Sequence, residues 1–199
     1  PRGLSVKRSI GLPIANTEAK IVDAEGAEVP VGEIGELWVR GPQVMKGYWN
    51  NPVETANVLK ADGWLVTGDI ARMDQDGFFY VVDRSKDMIL SSSGFNVYPS
   101  EIEQVLALHP MVSESAVIGV RHKDGSELIK AVVVPREGGV SAEDLLTHCR
   151  RYLASYKMPK RIEFRPELPR SILGKTLHRI LRVEEEAKTQ NQHSSASPG

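Results

Sequence analysis

Three charged side chains in this 199-residue chain stand where they could handle a phosphorylated ligand. Asp69 closes the run Trp64-Leu65-Val66-Thr67-Gly68-Asp69. A carboxylate there either ends a turn or caps an element, or it accepts both hydroxyls of a ribose, because a vicinal diol offers two donors to an acceptor-only group. Arg84 follows Phe79-Tyr80-Val81-Val82-Asp83. It is either a surface arginine paired to Asp83 or Asp87, or a donor to ribose or phosphate oxygens, for which the guanidinium fork is suited. Lys175 ends Leu168-Pro169-Arg170-Ser171-Ile172-Leu173-Gly174-Lys175. A Gly-Lys pair before a helix is common. Its functional reading is a compact cation on a loop, neutralising charge that develops as a carboxylate attacks a phosphoryl group. Lys86 and Asp87 form either a polar linker or a hinge. Ser91-Ser92-Ser93-Gly94 reads as a turn. His109, His122, His148, His178 and His193 are scattered and predict no metal cluster, and no GxxxxGK[ST] loop occurs.

Two kinds of sequence must position these residues. Residues 1–85 read as β-rich, with β-prone runs at Lys20–Val22, Glu36–Arg40 and Phe78–Val82 between turns at Asp23–Gly26, Pro30–Gly32 and Asp74–Gly77. One helix is expected from Pro52 to about Lys60, capped by Asn51. Residues 86–187 read as mixed α and β. Ser100-Glu101-Ile102-Glu103 has the form of a capping box, and Pro110 stops the helix it would open. Strands are expected at Ala116–Val120, Ile129–Val134 and Arg161–Phe164. Ser141 would cap a helix through Leu153, and a last helix would begin near Lys175 with Leu177, Ile180 and Leu181 on one face. Residues 188–199 are small and polar and predict a disordered tail. The fold class is therefore α+β: a β-rich N-terminal subdomain with too few strands to close a sheet alone, then a small α+β domain.

The composition, 41% apolar and 26% charged, suits a soluble globular chain with a sizeable core. Its single cysteine, Cys149, cannot form an intrachain bridge, which favours a reducing, cytoplasmic setting. No signal peptide or membrane-length apolar run is evident. Net charge is −1, yet His148–Arg182 holds ten Lys or Arg against Glu163 and Glu167. That asymmetry is either a solvated basic surface or the mark of an anionic partner.

The candidates gain meaning from the longer strings that contain them. Gly35-Glu36-Leu37-Trp38-Val39-Arg40-Gly41-Pro42, Asp62-Gly63-Trp64-Leu65-Val66-Thr67-Gly68-Asp69, Asp83-Arg84-Ser85-Lys86-Asp87 with Gly94-Phe95-Asn96-Val97-Tyr98-Pro99, and Leu168-Pro169 through Gly174-Lys175 occur in that order. Together they resemble the core motifs of the adenylate-forming superfamily, which includes acyl-CoA synthetases, adenylation domains and luciferases. Within it they look most like the C-terminal portion of bacterial long-chain fatty acid–CoA ligases.

The resemblance implies that the β-rich part is the end of a distorted barrel in a larger N-terminal domain. It implies a fatty acid, ATP and CoA as ligands, with a magnesium site outside this chain. Asp69 and Arg84 would bind the nucleotide, Lys86 would be the hinge, Lys175 would serve adenylation, and Gly94 and Phe95 would face CoA. Nucleic acid is not implied, and peripheral attachment to the inner membrane stays compatible. The family's glycine-rich phosphate loop and acyl tunnel lie upstream of these motifs, so the 199 residues alone are expected to be inactive. Two alternatives are another acid-activating enzyme of the superfamily and a non-catalytic anion- or membrane-binding fragment. Between Asp87 and Gly94 the chain has one residue more than the family usually has, which predicts a bulge or widened turn at Ser91–Ser93.

Overall fold

A computed structural model describes residues 9–91, 93–121 and 126–194, with side chains through Lys188. The chain divides into two compact units, Pro1–Lys86 and Asp87–Gly199.

The first unit is built on an antiparallel sheet of four strands in sequential order: β1 (Glu18–Val22), β2 (Ile34–Arg40), β3 (Leu65–Met73) and β4 (Phe79–Arg84). Its turns follow from side-chain chemistry. Asp74 Oδ1 accepts the amides of Asp76 and Phe78, and Gly77 takes a φ of 82°, which closes the β3–β4 hairpin. Asp23 does the same for Glu25 and Ala27 between β1 and β2. Ile21, Leu37, Ala71 and Phe79 form the buried cluster of this unit. Helix α1 (Pro52–Val58) joins β2 to β3 and is capped by Asn51, whose side chain accepts the Glu54 amide. It ends before the expected Lys60, because Leu59 is already extended and bridges Leu65.

The second unit has a three-stranded sheet with helices on both faces. β7 (Val112–Arg121) pairs antiparallel with β8 (Glu127–Pro135), and β9 (Arg161–Phe164) pairs parallel with β8. A parallel pair needs a crossover, and α3 (Ala142–Cys149) supplies it. One face of the sheet packs Val117, Ile129, Ala131 and Val133 against Ile102 and Leu106 of α2 (Pro99–Ala107) and Leu145 of α3. The other face packs Ala116, Ile118, Val120 and Val132 against Leu168 and Leu181, the latter from α4 (His178–Ser194). Burial on both faces explains the near-continuous apolar runs in β7 and β8. A short hairpin, β5 (Ile89–Leu90) and β6 (Asn96–Val97), leads into α2. Cys149 is buried and unpaired, and burial pushes its thiol pKa up.

Four further expectations change. Asp69 does not end an apolar run but lies inside the nine-residue strand β3. The capping box does not form: α2 starts at Pro99, the flanking Tyr98 makes no side-chain cap, and Glu103 is drawn elsewhere. The helix opened by Ser141 ends at Cys149, not Leu153. The last helix starts at His178, three residues past Lys175, and continues to Ser194 through part of the expected tail. Lys188 explains part of that continuation, since it bonds Glu185 one turn back and Glu163 on β9. The disorder expected for residues 195–199 lies outside the described residues.

Candidate functional site

In the first unit, Asp69 and Arg84 come together. They face each other in the β3–β4 register, and Arg84 Nε lies 2.8 Å from Asp69 Oδ1. The partner is neither Asp83 nor Asp87, although Asp83 Oδ1 does accept the Arg84 amide. The local sequence prepares this geometry. Gly68 has a φ of 71°, and the β3–β4 register shifts between Ile70 and Ala71. Thr67 Oγ1 accepts the Asp69 amide at 3.1 Å and donates to the Leu37 carbonyl at 2.7 Å, tying the bend to β2. The pair is open to solvent, with 57% of the Arg84 side chain and 27% of the Asp69 side chain accessible. Chemically it is an ionised acceptor oriented by a neighbouring fork of donors, an arrangement that can receive a diol and a phosphate oxygen side by side.

Lys86 is exposed in the short 3₁₀ turn Ser85–Asp87, the last residue of the first unit.

In the second unit, Gly94 and Phe95 sit in the turn between β5 and β6. Ile89 pairs with Val97 and Leu90 with Asn96, and both Ile89 and Val97 are fully buried. Five residues, Ser91 to Phe95, connect the two strands. Ser92 itself lies outside the described residues. Ser91 holds the turn: its hydroxyl accepts the Phe95 amide and donates to the Phe95 carbonyl, while Gly94 has a φ of 78°. Phe95 is half exposed, and its ring rests 4.8 Å from that of Tyr156.

Lys175 is exposed on a separate turn of the same unit. Arg170 and Thr176 form its base as an isolated bridge. Within it Ser171 and Lys175 bond each other, through Ser171 N to Lys175 O at 2.8 Å and Lys175 N to Ser171 Oγ at 3.2 Å. Gly174 supplies the positive φ of 78° that lets the chain reverse, and Arg170 donates to its carbonyl. Ile172 and Leu173 stand at the tip, almost wholly exposed. Arg170 also pairs with Glu114 on β7, so the turn is rooted in the sheet while its tip projects.

Sequence reasoning missed the groups that seat this turn. His178, the first residue of α4, bonds Glu103 of α2 at 2.7 Å, and Glu103 also accepts the Val117 amide. The hydrogen bond to Glu103 raises the pKa of His178 against the opposing effect of burial, and the charges of Glu103 and Asp87 add to the rise. The Ser100–Glu103 string did flag Glu103 as important, but for a local role. Its partner is 75 residues away, which no local pattern reveals. Among the described residues no group of three or more His, Cys, Asp or Glu could hold a metal ion, and no helix is long and apolar enough to cross a membrane.

Residues 2–49 match the AMP-binding enzyme family, and residues 101–175 match the AMP-binding enzyme C-terminal domain. The chain belongs to the AMP-binding enzyme family. A long-chain-fatty-acid–CoA ligase of Yersinia pestis is 60% identical over 177 residues, covering 89% of this chain and 31% of the relative. A feruloyl-CoA synthase of Amycolatopsis is 48% identical over 170 residues, covering 85% of this chain and 34% of the relative. The crystal structure of ATP-bound MatB from Rhodopseudomonas palustris superposes with a TM-score of 0.87 at 38% identity, covering 92% of this chain and 37% of that one. The chain thus spans about a third of the length of the relatives it matches.

Proposed function

We propose that this chain is the C-terminal part of an ATP-dependent fatty acid–CoA ligase. In the first step a carboxylate oxygen of the fatty acid attacks the α-phosphorus of ATP. The bond to the bridging oxygen breaks, pyrophosphate leaves, and an acyl-adenylate forms. In the second step the CoA sulfur attacks the acyl carbonyl, the bond to the AMP oxygen breaks, and the thiol proton passes to solvent. Asp69 binds the ribose hydroxyls and Arg84 supports the same nucleotide. Lys175 places its ammonium against the carboxylate and α-phosphate, where charge builds in the first step. Lys86 is the hinge about which the C-terminal unit turns between steps, withdrawing Lys175 and presenting the Gly94–Phe95 turn to CoA. The magnesium site that the resemblance implies would lie outside this chain.

The observation that carries the reading is the Asp69–Arg84 pair, an oriented acceptor and donor fork on neighbouring strands of an AMP-binding enzyme. The two relatives are named for different acids. The higher identity to a fatty acid ligase favours a long aliphatic acid, and the feruloyl-CoA synthase keeps an aromatic acid as the second reading. ATP–pyrophosphate exchange by the intact enzyme, with long-chain fatty acids and hydroxycinnamic acids side by side, tests it. Exchange with the fatty acids is expected. Exchange with the aromatic acids alone would replace the substrate, and exchange with neither would remove the activity.

A further inference from the structure

The helix that follows Lys175 is attached to the residue that follows Lys86, and one side chain makes the attachment. Arg182 of α4 places Nη1 2.9 Å from Asp87 Oδ1 and donates from Nη2 to the Asp87 backbone carbonyl at 3.1 Å. Both side chains are largely covered, at 25% and 19% accessible. A guanidinium that holds a side chain and the main chain of one residue fixes that residue's direction as well as its place. We propose that Arg182 is a positioning residue for adenylation, coupling the start of the C-terminal unit to Lys175 through α4. The proposal rests on the roles given above to Lys175 and Lys86.

The coupling is needed because of how Asp87 is connected. Along the chain it leads within two residues to Ile89 of β5, and so directly to the Gly94–Phe95 turn. No such short route leads to Lys175, 88 positions away in sequence. Across space, Arg182 supplies it. Leu181 seats α4 among Ala116, Ile118, Val120 and Leu168. Apolar contact is non-directional, however, and leaves the helix able to slide or roll by a fraction of an ångström. Arg182 and His178, one turn apart on α4, remove that freedom by bonding Asp87 and Glu103. A rotation about Lys86 then reaches the β5–β6 turn covalently, and reaches the Lys175 turn across the packed unit, with Arg182 fixing the setting of α4 relative to Asp87.

This asymmetry makes the test specific. In the intact enzyme, Arg182→Ala is expected to lower the rate of acyl-adenylate formation about 10- to 100-fold, the cost of a loosely held catalytic group. Thioester formation from supplied acyl-adenylate should stay near wild type. Arg182→Lys should fall between, since an ammonium keeps the charge but not the fork. Adding Asp87→Asn to Arg182→Ala should cause little further loss, because both break one interaction. Lys175→Ala is measured alongside. If it cripples adenylation while Arg182→Ala stays near wild type, the positioning role is overturned and the proposed function stands. If Lys175→Ala leaves adenylation intact, both fall. Equal loss of the two steps in Arg182→Ala would reduce Arg182 to a stabilising residue and overturn the proposal. Should Arg182→Ala fail to fold by circular dichroism, Arg182→Lys and Asp87→Asn carry the same comparison of steps.

Discussion

Lys130 and Lys175 belong to the same compact unit, and the chain treats their charges in opposite ways. Lys130 lies on β8 and is 5% exposed. It is bonded by Glu163 of β9 and by Glu185 of α4, and Arg165 and Lys188 close the network around those carboxylates. Burial alone would raise the pKa of Glu163, but hydrogen bonds from Lys130, Arg165 and Lys188 outweigh it and bring it down to about 2. Lys175 stands on a projecting turn, exposed, and its ammonium makes no ion pair among the described residues. A buried cation is explained by its partners, because without them it could not be there charged. An exposed cation on a turn built from a positive-φ glycine and a reciprocal serine bond needs no such partners, and it is free to take the role proposed for Lys175.

The contrast predicts opposite phenotypes. Lys130→Ala removes the buried cation from Glu163 and Glu185, leaving Arg165 and Lys188 at their edges, and should cost about 1–3 kcal/mol of stability. Urea unfolding followed by circular dichroism measures it, and the folded fraction should retain the ratio of adenylation to thioester formation. Lys175→Ala should leave stability within about 0.5 kcal/mol, as surface changes do. Its adenylation rate should drop by about 100- to 1000-fold, the usual loss when one group that stabilises transition-state charge is removed. Thioester formation from acyl-adenylate should be little affected. A Lys130→Ala protein of normal stability, or a Lys175→Ala protein that unfolds easily, would break the comparison.

The two regions also differed in how far the sequence revealed them. The Lys175 loop was legible only in part: its glycine marked a loop before a helix, but the helix was expected to begin near Lys175 and the bond to Ser171 was not foreseen. The Asp74–Gly77 turn and the Ser141 cap on α3 were legible because their chemistry is local, with one side chain bonding an amide a few residues on. The Lys130 network was not legible, since its members lie in β8, β9 and α4 and a lysine inside an apolar strand announces nothing about its partners. The failed capping box belongs with it. Ser100 and Glu103 have the right spacing, but Pro99 suits the first turn of a helix and Glu103 is taken by Val117 and His178 from other elements. Asp69 was placed wrongly, because the bulge and Gly68 that bend β3 make its sequence resemble the end of a run.

A smaller effect is expected at the Asp69–Arg84 pair, to which the proposed function gives nucleotide binding and no contact with the reacting atoms. Asp69→Ala should raise KM for ATP about 10- to 100-fold, the equivalent of losing hydrogen bonds to a charged group, with kcat much less altered. The discriminating measurement uses 3′-deoxy-ATP. The wild type should bind it more weakly than ATP, and Asp69→Ala should no longer distinguish the two. If the variant still prefers the hydroxylated nucleotide, Asp69 does not hold the ribose.

The finest distinction between the two regions lies in how they respond to pH. Glu163 has a lowered pKa, so its contribution to stability is complete above the ordinary 4.5 and is lost as pH falls toward about 2. His178 has a raised pKa, with the Glu103 hydrogen bond as the leading cause. Its contribution is complete below the ordinary 6.5 and is lost as pH rises through the folded-state value. The Lys130 network should therefore loosen in acid, and the anchor at the start of α4 should loosen on the alkaline side. Urea unfolding from the ordinary histidine value of 6.5 upward should show a decline in wild-type stability that His178→Gln and Glu103→Gln both flatten. Because α4 follows the Lys175 turn directly, the same alkaline limb should appear in the adenylation rate and be absent from thioester formation. An alkaline decline common to both steps would assign it to another group and leave His178 a purely structural anchor.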